Sequence, residues 1–266
     1  MRDAYRRYMR QQTFKKQIRP TDVFLVGHPK SGNTWLTLML GVLIEKKFNN
    51  KINLNNISEF IPSFHHRDNQ IENYSQFPDP RFFRNEGPIY PDLYPKTIYI
   101  IRDPRASYVS YYHHCVHDTG RMDWKMEDFI DEMLANGCIK SLEPYLLRWD
   151  RHVKEWLDRA ERQPVLFVKF EEMKQDSYEV LKKAVDFIGL HCSEDEIRLA
   201  VQRGDFKSMR KEEMDHGAAP YSGTKGEGGF FIRKGKVDGW KEELSKESAG
   251  KIATEFSDIM RRMQYT

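Results

Sequence analysis

The sequence predicts an α/β fold, with a mostly parallel central sheet and helices on both faces. Three observations carry this. Apolar runs at 23–26, 97–101 and 165–168 read as strands buried on both sides. Helical patterns lie between them, the alternation that a parallel sheet requires. The first run leads through Gly27-His28-Pro29-Lys30-Ser31-Gly32 into Trp35-Leu36-Thr37-Leu38-Met39-Leu40, a buried-helix pattern. Strand, tight loop and helix in that order present backbone N–H groups and the positive helix end to one anion.

The spacing makes the fold P-loop-like. Gly27, four residues, then Gly32, Asn33 and Thr34 copies the Walker A frame except at one place. Asn33 stands where the nucleotide-triphosphate lysine belongs, and the lysine comes earlier, at Lys30. The loop is expected to hold a phosphate with its cation approaching from another side, which counts against ATP or GTP hydrolysis. The alternative is a plain strand-to-helix turn with a surface lysine.

Length fits one large domain: 266 residues, 39% hydrophobic and 13% aromatic, provide a sizeable core. A net charge of +3 with 31% charged residues is a mild basic bias that says little about partners. Cys115, Cys138 and Cys192 are widely spaced, without a disulfide or zinc pattern. The longest apolar run, near Trp35 to Ile44, is too short to span a bilayer. Met-Arg-Asp-Ala-Tyr-Arg-Arg lacks the apolar stretch of a secretory signal. A cytoplasmic protein is expected.

Residues 1–20 read as a basic N-terminal arm or short helix, and 21–266 as the domain. A strand at 23–26 and a helix at 34–47 follow. Residues 48–95, rich in Asn, Pro and aromatics and including His65-His66, read as a long irregular segment of the kind that carries function. Thr97-Ile98-Tyr99-Ile100-Ile101 is a buried strand ending at Arg102-Asp103-Pro104, and Pro104 suits the first turn of a helix running to about His117. Helices are expected near 124–136 and 142–160, and a strand at Val165-Leu166-Phe167-Val168. Residues 174–189 are amphipathic, and Ser193 with Glu196 forms a capping box. His216 to Gly229 reads as a mobile glycine-rich loop. A charged C-terminal helix follows Trp240.

Arg102 ends one strand and Lys30 follows another, so a doubly wound sheet brings both to the same edge. Ser110 lies two helical turns on. A guanidinium and a hydroxyl suit a second phosphate; the alternative is Arg102 paired with Asp103 and Ser110 on a helix face. His113 and His117 are one helical turn apart, but no further ligand cluster accompanies them, so no metal is expected.

Three ordered motifs resemble those of the cytosolic-type sulfotransferases that use 3′-phosphoadenosine-5′-phosphosulfate (PAPS). His28-Pro29-Lys30-Ser31-Gly32-Asn33-Thr34-Trp35 is similar to their 5′-phosphosulfate loop. Ile101-Arg102-Asp103-Pro104-Arg105 through Ser110-Tyr111-Tyr112-His113 is similar to their 3′-phosphate motif. Phe231-Ile232-Arg233-Lys234-Gly235 with Gly239-Trp240-Lys241 is similar to their C-terminal basic motif. Weaker stretches at 170–174 and 205–209 keep the family's order, and the likeness spans roughly 22–245.

The resemblance implies a single-domain enzyme moving a sulfonate group from PAPS to a hydroxyl or amine of a small-molecule or glycan acceptor. Nucleic acid is not among the partners it implies, nor is a metal, because lysine and arginine supply the positive charge. By carry-over, Lys30 and the backbone of Ser31, Gly32, Asn33, Thr34 and Trp35 hold the 5′ phosphosulfate. Arg102, Ser110, Arg233, Lys234 and Gly235 hold the 3′-phosphate. Trp35 and Phe206 flank adenine, and Phe170 stands where many relatives have tyrosine. In Phe82-Phe83-Arg84-Asn85-Glu86-Gly87-Pro88, Arg84 takes the family's basic position and Glu86 falls on the histidine that acts as base. Lys30 and Arg84 would stabilise developing charge. A carboxylate is a weaker base than an imidazole, so Glu86 is a departure, with His28, His65 and His66 as competing bases. Two other readings remain. One is a nucleotide kinase or hydrolase with Glu171-Glu172 as its acid. The other is a PAPS-binding relative without activity. The family's dimer motif is not recognisable in 241–266, which leaves oligomeric state and acceptor open.

Overall fold

A computed structural model of the chain describes residues 2–63, 71–87, 90–118, 123–137, 146–216 and 232–265. Its centre is a sheet of four parallel strands: β1 (Val23–Gly27), β2 (Phe82–Asn85), β3 (Lys96–Ile101) and β4 (Val165–Lys169), in the order β2-β1-β3-β4. Every residue of β1 is buried, as its unbroken apolar run requires of a strand covered on both faces. Alternate side chains divide between two cores. Phe24, Val26, Phe83, Tyr99 and Ile101 enter one; Val23, Leu25, Phe82, Ile98 and Ile100 enter the other.

Helices cover both faces. In chain order they are α1 (Arg2–Gln17), α2 (Asn33–Phe48), α3 (Ile57–Phe60), α4 (Pro104–His113), α5 (Met126–Asn136), α6 (Trp149–Ala160), α7 (Phe170–Gln175), α8 (Ser177–Ile188), α9 (Glu194–Arg203), α10 (Phe206–His216), α11 (Lys246–Glu255) and α12 (Ser257–Arg262). α2, α8 and α9 pack on the Leu25 face, and α4, α5, α6, α11 and α12 on the Phe24 face. Phe14 of α1 is buried there too, with its ring against Phe24, Tyr90 and Tyr94. Ser193 and Glu196 form the expected capping box of α9.

Chain order produces the feature that matters for function. β1 connects to β2 on one side, and β3 connects to β4 on the other. The carboxyl ends of β1 and β3 therefore flank a topological switch point, where open α/β sheets bind ligands.

Several expectations need correction. The segment 48–95 is not irregular throughout, because it contains α3 and the edge strand β2. β2 was hidden because Phe82-Phe83 is followed by two polar residues. Both are nonetheless buried: Arg84 donates to Ser58 Oγ at 2.9 Å, and Asn85 Nδ2 donates to Tyr94 Oη at 2.9 Å. A buried bidentate pair anchors this strand, Arg81 Nε and Nη2 donating to Asp22 at 2.8 and 2.6 Å. The helix expected from 142 starts at Trp149, with 146–148 not helical and 142–145 outside the described residues. The amphipathic 174–189 region breaks at Asp176, whose carboxylate accepts from Glu179 N–H and caps α8. The helix after Pro104 becomes a π-turn over His114–Asp118. His65, His66, Cys138 and the glycine-rich stretch beyond His216 lie outside the described residues.

Candidate active site

The β1–α2 loop has the form an anion requires. α2 starts with no capping side chain and no acidic residue in its first turn. Its N–H groups and dipole therefore face outward for an anion. Lys30 has φ 64° and Gly32 φ 105°. The left-handed region costs an L side chain roughly 1–2 kcal/mol, so the surroundings rather than its own preference hold Lys30 there. A Cβ on Gly32 would fall 2.9 Å from Phe170 Cδ2, so glycine lets this ring close on the loop.

Arg102 follows β3 and faces the loop. Its Nη1 donates to Lys30 O and its Nη2 to Lys236 O, each at 3.2 Å, and its guanidinium lies 4.1 Å from the Phe170 ring centroid. The buried Nε has no hydrogen-bond partner among the described residues. Burial lowers its pKa to about 10, so it stays cationic at neutral pH. Glu171 and Asp103 attract it through space, with no direct ion pair to either among the described residues. Asp103 caps α4 by accepting from Arg105 N–H at 2.9 Å, and it pairs with the Arg105 side chain at 2.6 Å.

Lys30, Gly32, Asn33, Thr34 and Trp35 line one cavity together with Arg102 and Ser110. Phe206, Arg233, Lys234 and Gly235 complete its far wall, and Glu86 stands at the same cavity. Gly235 has φ 58°, and a Cβ there would strike Phe206 Cδ2 at 2.7 Å. Of the residues assigned to the phosphosulfate loop and to charge stabilisation, Ser31 and Arg84 lie off this wall. Ser31 is fully buried, and Arg84 Nη2 donates to Ser58 Oγ.

Glu86 is tied to the β1–α2 loop. Asn33 Nδ2 donates to Glu86 Oε1 at 3.1 Å. Behind it, His152 Nε2 donates to Glu86 O at 3.0 Å and Tyr99 Oη donates to His152 Nδ1 at 2.7 Å. A carbonyl oxygen only accepts, so this chain fixes the His152 tautomer. His28 is 1% exposed, with Tyr108 and His152 against its ring and no place on the cavity wall.

Burial, then His152, lower the His28 pKa from 6.5 to about 3. Between those values the unfolded chain binds a proton that the folded chain refuses, so stability falls as pH drops through this window. A single such group contributes at most about 1.4 kcal/mol per pH unit. Denaturant unfolding at pH 7 and pH 5 should show His28→Phe losing less stability on acidification than the unsubstituted chain. Equal losses would show that His28 does not stay neutral in the fold.

Three residues were given no role from the sequence. Lys174 lines the cavity with its ammonium 5.5 Å from the Trp35 ring centroid and 6.0 Å from that of Phe206. His152 meets Glu86 and Glu243 meets His113 across long separations, and no local pattern marks them. Among the described residues no group of three or more His, Cys, Asp or Glu is placed to hold a metal, and no helix is long and apolar enough to cross a membrane.

An anion loop after one strand and a cationic site after its neighbour define a P-loop-like phosphate-binding fold. The chain belongs to the sulfotransferase domain family, whose family model matches residues 20–264. Among its relatives is the amine sulfotransferase of Oryctolagus cuniculus, 24% identical over 92% of this chain and 82% of the relative. Sulfotransferase 1A1 of Bos taurus is 29% identical over 85% of this chain and 79% of the relative. The fold is similar to retinol dehydratase in complex with androsterone and the inactive cofactor PAP, with TM-score 0.70, 22% identity, and coverage of 91% of this chain and 81% of that one. It is also similar to mouse sulfotransferase SULT7A1 complexed with PAP, with TM-score 0.67, 22% identity, and coverage of 92% and 86%.

Proposed function

We propose that the chain transfers a sulfonate group from PAPS to a hydroxyl or amine of a small-molecule or glycan acceptor, releasing adenosine 3′,5′-bisphosphate (PAP). One observation carries this reading. Two separate cationic sites face one cavity at the switch point: Lys30 with the start of α2, and Arg102 with Ser110 and Arg233. A donor that carries two phosphate groups on one ribose offers an anion to each of these cationic groups. The orphaned Nε of Arg102 is a donor suited to one more anionic oxygen.

PAPS supplies an activated sulfonate on a phosphate leaving group. The chain's own residues do the rest. Lys30 and the N–H groups of α2 hold the 5′ end and meet negative charge as it builds there, the electrostatic contribution that dominates such transfers. Arg102, Ser110, Arg233, Lys234 and Gly235 hold the 3′-phosphate. Trp35 and Phe206 offer ring faces to adenine. Glu86 takes the acceptor proton, oriented by Asn33.

The kinase reading has less support. Glu171 accepts from Asp103 N–H and Tyr265 Oη, each at 3.1 Å, and is committed to joining α4, α7 and the C-terminus. A screen with radiolabelled PAPS across phenols, sterols, sugars, glycolipids and acyl alcohols tests the transferase reading. Label entering no acceptor, with PAP bound tightly, would instead indicate a binding protein.

Calorimetry supplies an acceptor-free test. PAP should bind more tightly than 5′-AMP by roughly 1.5–3 kcal/mol, the range for hydrogen bonds to charged groups. Equal affinities would remove the 3′-phosphate assignment of Arg102, Ser110 and Arg233.

A further inference from the structure

The segment after Ile232 carries Arg233 and Lys234 without helix or strand to hold it, through Lys236. Long side chains on such a backbone pay a large ordering cost when they grip a ligand. One carboxylate offsets this cost. Glu243 Oε1 accepts from Arg233 Nη1 at 2.8 Å and from Lys234 Nζ at 2.9 Å. Its other oxygen, Oε2, accepts from Arg233 Nη1 at 3.1 Å and from His113 Nε2. His113 is the last residue of α4, one turn beyond Ser110.

We infer that Glu243 is a positioning residue for the donor's 3′-phosphate, clamping Arg233 and Lys234 to the helix that carries Ser110. This inference rests on the PAPS reading above. Three features distinguish a clamp from a competitor for the same cations. Glu243 does not line the cavity, whereas Arg233 and Lys234 do. Both hydrogen bonds from Arg233 leave through Nη1, so Nε and Nη2 remain for another anion. Side-chain exposure is 15% for Glu243 against 29% for Arg233 and 38% for Lys234, which puts the carboxylate behind its cations. Burial raises the Glu243 carboxyl, and the hydrogen bonds from Arg233, Lys234 and His113 outweigh it and bring the pKa down to about 2. The group is thus anionic at any working pH.

The test is calorimetry on the full chain with PAP and 5′-AMP. In Glu243→Gln, PAP should bind roughly tenfold more weakly, the scale of ordering two long side chains, while 5′-AMP binding is unchanged. His113→Gln loosens the clamp at its other end and should give a smaller loss of the same selectivity, so the result does not depend on one variant folding. Glu243 acts through its cations, so adding Glu243→Gln to Arg233→Met should cost PAP less than it does alone. PAP binding as tight or tighter in Glu243→Gln, an equal loss for both nucleotides, or full additivity with Arg233→Met overturns the clamp. A wild-type chain that binds PAP no better than 5′-AMP overturns the donor reading, and the inference with it.

Discussion

Lys30→Met should lower turnover roughly 10²–10³-fold, the usual effect of removing one preorganised charge donor, and should change PAP affinity far less. The substitution is selective because of how Lys30 is used. Its backbone carbonyl accepts from Arg102 Nη1 at 3.2 Å. Methionine keeps that carbonyl, so the link between the loop and Arg102 survives and only the ammonium is lost. The backbone conformation at φ 64° is equally unfavourable for both side chains, so stability should change little. An interaction stronger in the transition state than in the ground state raises kcat, whereas one equal in both lowers KM alone. Lys30 is assigned to charge that develops during transfer, so the loss belongs in kcat. The measurements are steady-state turnover with an acceptor from the screen and PAP titration by calorimetry. Near wild-type turnover would make the loop a structural turn.

The sheet was legible where burial on both faces left a continuous apolar run. β1 and β3 satisfy that condition; β4 was legible from its apolar run too, but it is an edge strand in which only Val168 is buried, not a strand covered on both sides. β2 does not, since Arg84 and Asn85 are buried only because Ser58 and Tyr94 meet them from elsewhere in the chain. The β1–α2 loop was legible because its chemistry is local. Gly27, Lys30 and Gly32 lie within one turn, and the helix start follows directly. The supports of the site were hidden for the opposite reason. Glu243 meets His113 across 130 residues, and His152 meets Glu86 across 66. Composition and periodicity describe neighbours along the chain, and these pairs are neighbours only once the sheet has formed. The role assigned to Arg84 rested on its place in a short motif. Its side chain instead reaches Ser58 on α3, away from the cavity wall.

Glu86→Gln should lose activity by about 10²–10⁴-fold, the range for a positioned general base, with donor affinity nearly unchanged. Glutamine keeps the length of the side chain and an oxygen for Asn33 Nδ2, which donates to Glu86 Oε1 at 3.1 Å. The backbone hydrogen bond from His152 to Glu86 O is also untouched, at 3.0 Å. What disappears is the capacity to accept a proton. Of the competing bases, His28 is buried off the cavity with a pKa lowered to about 3, first by burial and then by His152. It is therefore a poor proton acceptor and does not line the cavity. His65 and His66 lie outside the described residues, and their substitution to glutamine completes the comparison. Glu86→His tests the role from the other side. An imidazole reaching the same cavity should restore part of the activity, and the pH dependence of kcat/KM should then move toward the imidazole range. If Glu86→Gln stays active while a histidine variant is dead, the base is that histidine. Asn33 and Glu86 then form a contact that merely closes the cavity beside the donor loop.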